Sequence, residues 1–245
     1  MKNNSSILII LGLIICGFLS SCGSETDSGL QDGLNNGHIT TDINEADGFT
    51  TPQGSLMIND GEVATNKIDV ILTLSGSDAV GVTGYYVSSQ SANPTISDSN
   101  WNSVTSTTLF SKQVSDNIST VEQSYSFYAW YSDGSGNISA QSSSSIIYDV
   151  TAPTSTSVSI NSGTSTTSST GVSLTLSATD NVGVTGYYTS ESSSTPSLDA
   201  SGWKNVTSST AYSGNVSFSL SSGEGDKTVY AWFRDVAGNI STSSS

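Results

Sequence analysis

Residues 56–143 and 158–245 are one sequence written twice at a constant offset of 102 positions, with about 41 of the 88 aligned pairs identical. Ser-Asp-Ala-Val-Gly-Val-Thr-Gly-Tyr-Tyr (77–86) returns as Thr-Asp-Asn-Val-Gly-Val-Thr-Gly-Tyr-Tyr (179–188). Trp101 returns as Trp203, and Tyr128-Ala129-Trp130 as Tyr230-Ala231-Trp232. Asp133-Gly-Ser-Gly-Asn-Ile-Ser returns as Asp235-Val-Ala-Gly-Asn-Ile-Ser. A period of this length exceeds a solenoid unit and suits a self-contained domain, so the chain reads as tandem modules that each close their own core.

Within each copy the apolar residues alternate. Val70, Leu72 and Leu74, and one repeat later Val172, Leu174 and Leu176, are separated by polar residues, the period of a strand with one buried face. Lys227 to Asp235 alternates again, and Asp180-Asn-Val-Gly and Asp235-Val-Ala-Gly-Asn have turn composition. Beyond the N-terminus no stretch combines helical spacing with caps. The pattern predicts an all-β chain of two tandem antiparallel β-sandwich modules of about seven strands each, over 52–151 and 153–245. Val150-Thr-Ala-Pro153 joins them with almost no slack. The second copy stops at the counterpart of Ser143, before equivalents of Ile146-Ile147-Tyr148-Asp149, so its last strand is expected to be missing. Thr228 to Arg234 would then present an unpaired edge, open to a donor strand or to further chain.

The N-terminus carries an address rather than a fold. Lys2 precedes a short apolar run, Ile7 to Leu19, too short for a membrane-spanning helix and suited to the core of a secretion signal over 1–21. Leu19-Ser20-Ser21-Cys22 resembles the lipobox of bacterial lipoproteins. The resemblance implies cleavage before Cys22, acylation of that cysteine, and a membrane partner reached through its lipid. It places the chain in a bacterial cell envelope, at the outer membrane or cell surface. The alternative is a plain cleaved signal with an incidental cysteine. Cys16 would leave with the signal, so no disulfide forms in the mature chain. Residues 22–51 hold six acidic residues and no Lys or Arg, which reads as a flexible acidic tether containing the single histidine, His38.

Charge and residue inventory narrow the function. With 21 acidic against 6 basic residues the net charge is −15, which excludes nucleic acid as a partner because phosphate recognition needs clustered Lys and Arg. There is no His/Cys metal cluster, no Gly-x-Ser-x-Gly elbow and no lysine-bearing phosphate loop, so the chain reads as non-catalytic and in need of no organic cofactor.

Ala-Thr-Asp-Asn-Val-Gly-Val-Thr-Gly-Tyr-Tyr (178–188), followed by Val-Tyr-Ala-Trp-Phe-Arg-Asp-Val-Ala-Gly-Asn-Ile-Ser (229–241), resembles bacterial fibronectin type III-like and Ig-like modules. The resemblance covers both copies. It implies a register in which Val229, Ala231 and Phe233, and Phe127, Ala129 and Tyr131, face the core. Tyr230, Trp232 and Tyr188, with Tyr128, Trp130 and Tyr86, would then face outward as ligand-facing aromatics. Such a face stacks on sugars or packs on a protein, unless the loop carrying Trp203 folds back over it. The same topology gathers Asp149, Asp180 and Asp235 at the end of the second module that meets the linker. Three carboxylates there suit Ca2+; Asp78, Asp133 and Asp47 repeat the set one module earlier. The competing account is that these Asp residues only cap their own turns. The expected role is a lipid-anchored spacer stalk or adhesin. The alternatives are a carbohydrate-binding module and an accessory stalk of a larger surface enzyme.

Overall fold

The computed structural model describes residues 50–245. The signal segment, Cys22, His38 and Asp47 lie outside the described residues.

The first module is built from β1 (Gln53–Ile58), β2 (Ala64–Thr65), β3 (Asp69–Ser88), β4 (Asn102–Asn117), β5 (Gln123–Asp133) and β6 (Ser142–Tyr148). The second repeats the plan with β7 (Thr154–Ile160), β8 (Gly171–Ser190), β9 (Lys204–Ser219) and β10 (Tyr230–Asp235). All neighbouring strands run antiparallel except the short β2, which lies parallel to the end of β6.

The strand count differs from the seven expected, and the reason is local. β3 and β8 are each 20 residues long and belong to both layers of their sandwich. The first part of β3 pairs with β1 and with the second part of β4, Leu109 to Asn117. Its second part, Val82 to Ser88, pairs with β5 and with the first part of β4. The change of layer falls where the register jumps from Ser77 to Val82. There Asp78 Oδ1 accepts the N–H groups of Val80 (3.0 Å) and Gly81 (2.8 Å), so a side chain supplies what a separate loop would otherwise need. β8 bends in the same way around Asp180 and Gly183. The strand following the crossing starts beside Val82–Tyr85, so the two layers are β1–β3–β4 and β4–β3–β5–β6, an antiparallel β-sandwich.

Alternation places the cores. Val70, Leu72, Leu74, Phe127, Ala129, Tyr131 and Ile146 are buried together in the first module. Val172, Leu174, Leu176, Val229, Ala231 and Phe233 are buried in the second. The core-facing register expected for β5 and β10 is therefore the observed one. The second core is thinner: Leu56 and Ile58 are buried in β1, whereas their counterparts Val158 and Ile160 are only partly covered. In the first module Gln123–Phe127 pair only with β6. The corresponding residues 225–229 have no strand partner among the described residues, and β10 begins only at Tyr230. Ala231 nevertheless exchanges two hydrogen bonds (2.9 and 3.0 Å) with Ser244, the place Ser142 takes opposite Ala129.

Candidate functional site

Two places were singled out by the residues, the aromatic face and the acidic loops, and the structure treats them differently. Trp130 and Trp232 do leave the core side of their strands, yet each is only 1% exposed. The loop between β3 and β4 folds over the first: Asn93 Oδ1 accepts the Trp130 indole N–H at 3.2 Å, and Tyr86 packs edge-on between Trp101 and Trp130 at 5.6 and 5.8 Å. In the second module Tyr188 sits likewise between Trp203 and Trp232. The Arg234 guanidinium lies 4.9 Å from the Trp203 ring and donates to Leu198 O (3.1 Å) and Asn205 Oδ1 (2.6 Å). The expectation of ligand-facing Trp130 and Trp232 is therefore corrected. Both are walls of a small second core beneath the loop, while Tyr86, Tyr128, Tyr188 and Tyr230 remain half-buried at its rim.

The acidic residues converge. Asp149 leaves the end of β6 and is pinned by its N–H, which donates to Thr65 O in β2 at 3.0 Å. Asp180 sits at the layer crossing of β8, and Asp235 ends β10. One carboxylate oxygen from each lies within 4.8 Å of the other two, and all three residues are buried. Capping uses most of their acceptors. Asp180 Oδ1 takes the N–H of Val182 (2.9 Å) and Gly183 (2.6 Å). Asp235 Oδ1 takes the Asn239 N–H (2.8 Å), and its Oδ2 takes the Asn239 amide (2.7 Å). Asp149 Oδ1 accepts from Thr151 N and from the Asn181 amide, both at 3.1 Å. Asp149 Oδ2 and Asp180 Oδ2 are left buried with no hydrogen-bond donor.

Burial raises the pKa of Asp149 above the ordinary carboxylate value, and of Asp235 to about 6, because desolvation penalises the charged form. The charges acting on them add to this. Asp180 and Glu122 act on Asp149, and Asp149 and Asp180 act on Asp235, all of them negative. Asp78 and Asp133 cap their turns in the first module as Asp180 and Asp235 do in the second. The third residue of that set, Asp47, is outside the described residues.

Three residues to which the sequence assigned no role between the modules complete the joint. Asn239 donates to Asp149 O (3.0 Å) while its Oδ1 accepts from the Asn66 amide of the first module (3.0 Å). Glu122, at the threshold of β5, grips the linker. Its carboxylate accepts from Val150 N (2.7 Å) and from the Thr151 hydroxyl (2.9 and 3.0 Å), contacts that hold its pKa below the ordinary value. Two of the three could have been noticed: Asn239 repeats Asn137, and Glu122 returns as Glu224. Asn66 carries no such signal, because a serine stands at its repeat position, Ser168.

No protein-family model matches the chain, and no curated protein matches it in sequence. Among solved structures it is similar to the human OSCAR ligand-binding domain, at 14% identity and a TM-score of 0.36, over 78% of this chain and 95% of that one.

Proposed function

We propose that the chain is a non-catalytic, lipid-anchored component of a bacterial cell envelope. Its two sandwich modules act as a short spacer stalk or adhesive arm held off the membrane by the acidic tether. The observation that carries this reading is the joint. A linker of four residues, Val150-Thr-Ala-Pro153, is clamped by Glu122, and the Asn239 side chain of the second module bonds the Asn66 side chain and the Asp149 main-chain carbonyl. An enzyme accessory that only needs to tether a partner has no use for a fixed angle between modules, whereas a spacer does. The strong negative charge suits such a role, since it keeps neighbouring copies apart.

The test has two arms. Replacing Cys22 with Ser should move the protein from the membrane pellet to the soluble fraction. Retention in the pellet with a lipid-blocked N-terminus would remove the anchor from the reading. Small-angle scattering of the purified protein should fit one fixed arrangement of the two modules. A profile that requires an ensemble of angles would remove the stalk.

A further inference from the structure

We propose that Asp149, Asp180 and Asp235 form a binding site for a divalent hard cation, Ca2+ in preference to Mg2+, that fastens the second module to the linker. Turn capping, the simplest account of these residues, covers only part of what is seen. It explains Asp180 Oδ1 and both oxygens of Asp235. It does not explain Asp149 Oδ2 and Asp180 Oδ2, which are buried without a donor. Buried polar atoms ordinarily find partners, and an ionised oxygen left alone is the costlier exception. At Asp149 and Asp180, where a single oxygen does the capping, asparagine would serve as well, because it keeps the accepting oxygen and carries no charge. What distinguishes these three positions is the charge, brought within 4.8 Å from three separate parts of the chain.

The chemistry of the donors selects the ion. They are all oxygens, with no imidazole or thiolate among the three, which favours a hard cation over zinc or copper. The three carboxylates come from a linker and two turns, an irregular set. Ca2+ accepts six to eight oxygens in flexible geometry, with water or main-chain carbonyls filling the rest, whereas Mg2+ requires a near-ideal octahedron. Because Asp149 stands at the end of the first module where the linker begins and the other two belong to the second module, occupancy would tie one to the other directly. That consequence rests on the stalk reading; the binding itself does not.

The experiment uses the full chain, stripped with EDTA and titrated with CaCl2 or MgCl2, with calorimetric binding and thermal melting read together. At about 5 mM Ca2+, well into the affinity range of extracellular modules, we expect saturable binding and a melting rise of roughly 3–10 °C, smaller with Mg2+. Asp180→Asn should abolish that rise. In EDTA it should melt no lower than the unaltered protein, because its Oδ1 still accepts from Val182 and Gly183 and its amide offers the missing donor. Asp149→Asn is the second variant, so that a folding failure at one position leaves the test intact. Absence of both binding and stabilisation at about 5 mM Ca2+ overturns the site, as does a Ca2+ response in both variants as large as that of the unaltered protein. Scattering with and without Ca2+ separates the two claims. Binding that leaves the modules free to reorient keeps the site and sinks the stalk; a fixed joint that ignores Ca2+ does the reverse.

Discussion

Asp235 is where the acidic joint first becomes measurable. Its pKa rises from the ordinary 3.8 to about 6, chiefly through desolvation, so the folded state takes up a proton more readily than the unfolded chain. Stability of the metal-free protein should therefore increase as pH falls from 7 through 6 towards 4. The gain is about 1–2 kcal/mol after allowing for screening by solvent, visible as a higher melting temperature in EDTA at pH 5 than at pH 7. Glu122 has the opposite sign. Its pKa is lowered below 4.5 by the Val150 and Thr151 bonds, so its hold on the linker is complete at neutral pH and is lost as pH falls below that value. A melting temperature that falls steadily from pH 7 to 5 in EDTA would contradict the assignment at Asp235. The convergence of Asp149, Asp180 and Asp235 was legible in the residues because each sits in a repeated turn motif or at a linker end. The two orphaned oxygens were not, since whether a carboxylate keeps a donor depends on side-chain packing across modules.

Glycine decides the form of the long strands. Gly81 and Gly183 stand at the layer crossings of β3 and β8 with φ of 120° and 148°, a region that L side chains rarely adopt. A Cβ at Gly183 would also collide with the Ser208 hydroxyl of β9, and one at Gly81 with that of Ser106 in β4. Gly183→Ala should cost about 1–3 kcal/mol, read as a lower denaturant midpoint for the second module. Ala substitution at Gly163, where φ is positive but nothing lies within 4 Å, should cost less. A penalty at Gly183 no larger than at Gly163 would mean the crossing is not held by that residue. Alternation in Val172-Ser-Leu-Thr-Leu revealed the strand but not its continuation through Asp180 into Tyr188. A turn sequence and a bulge sequence look alike until the partner strands β9 and β10 are in place. The aromatic cover follows the same logic. Tyr230 and Trp232 alternate outward as the register requires, but only the path of the β8–β9 loop decides whether that face meets water.

For the molecule as a whole, the proposed fixed joint between the two modules turns on Asn239. Its amide donates to the Asp235 carboxylate of its own module and to Asp149 O at the linker, and its oxygen accepts from Asn66 of the first module. Removing it deletes two contacts across the joint along with one local cap. Asn137 is the same residue one repeat earlier. It caps Asp133 in the same way (2.7 Å), at the end of the first module from which β6 runs to the joint. Asn137 serves as the comparison because it lies in the turn before β6, away from the linker. Both Asn239→Ala and Asn137→Ala should lose about 1 kcal/mol from the cap, a drop of a few degrees in melting temperature. Only Asn239→Ala should loosen the joint, seen as broadened scattering and as separate alignment of the two modules in residual dipolar couplings. Equal loosening in both variants would place control of the angle outside this network. No loosening in either would leave the Glu122 grip on Val150 and Thr151, with the stiffness of Pro153, as the whole of what fixes the second module to the first.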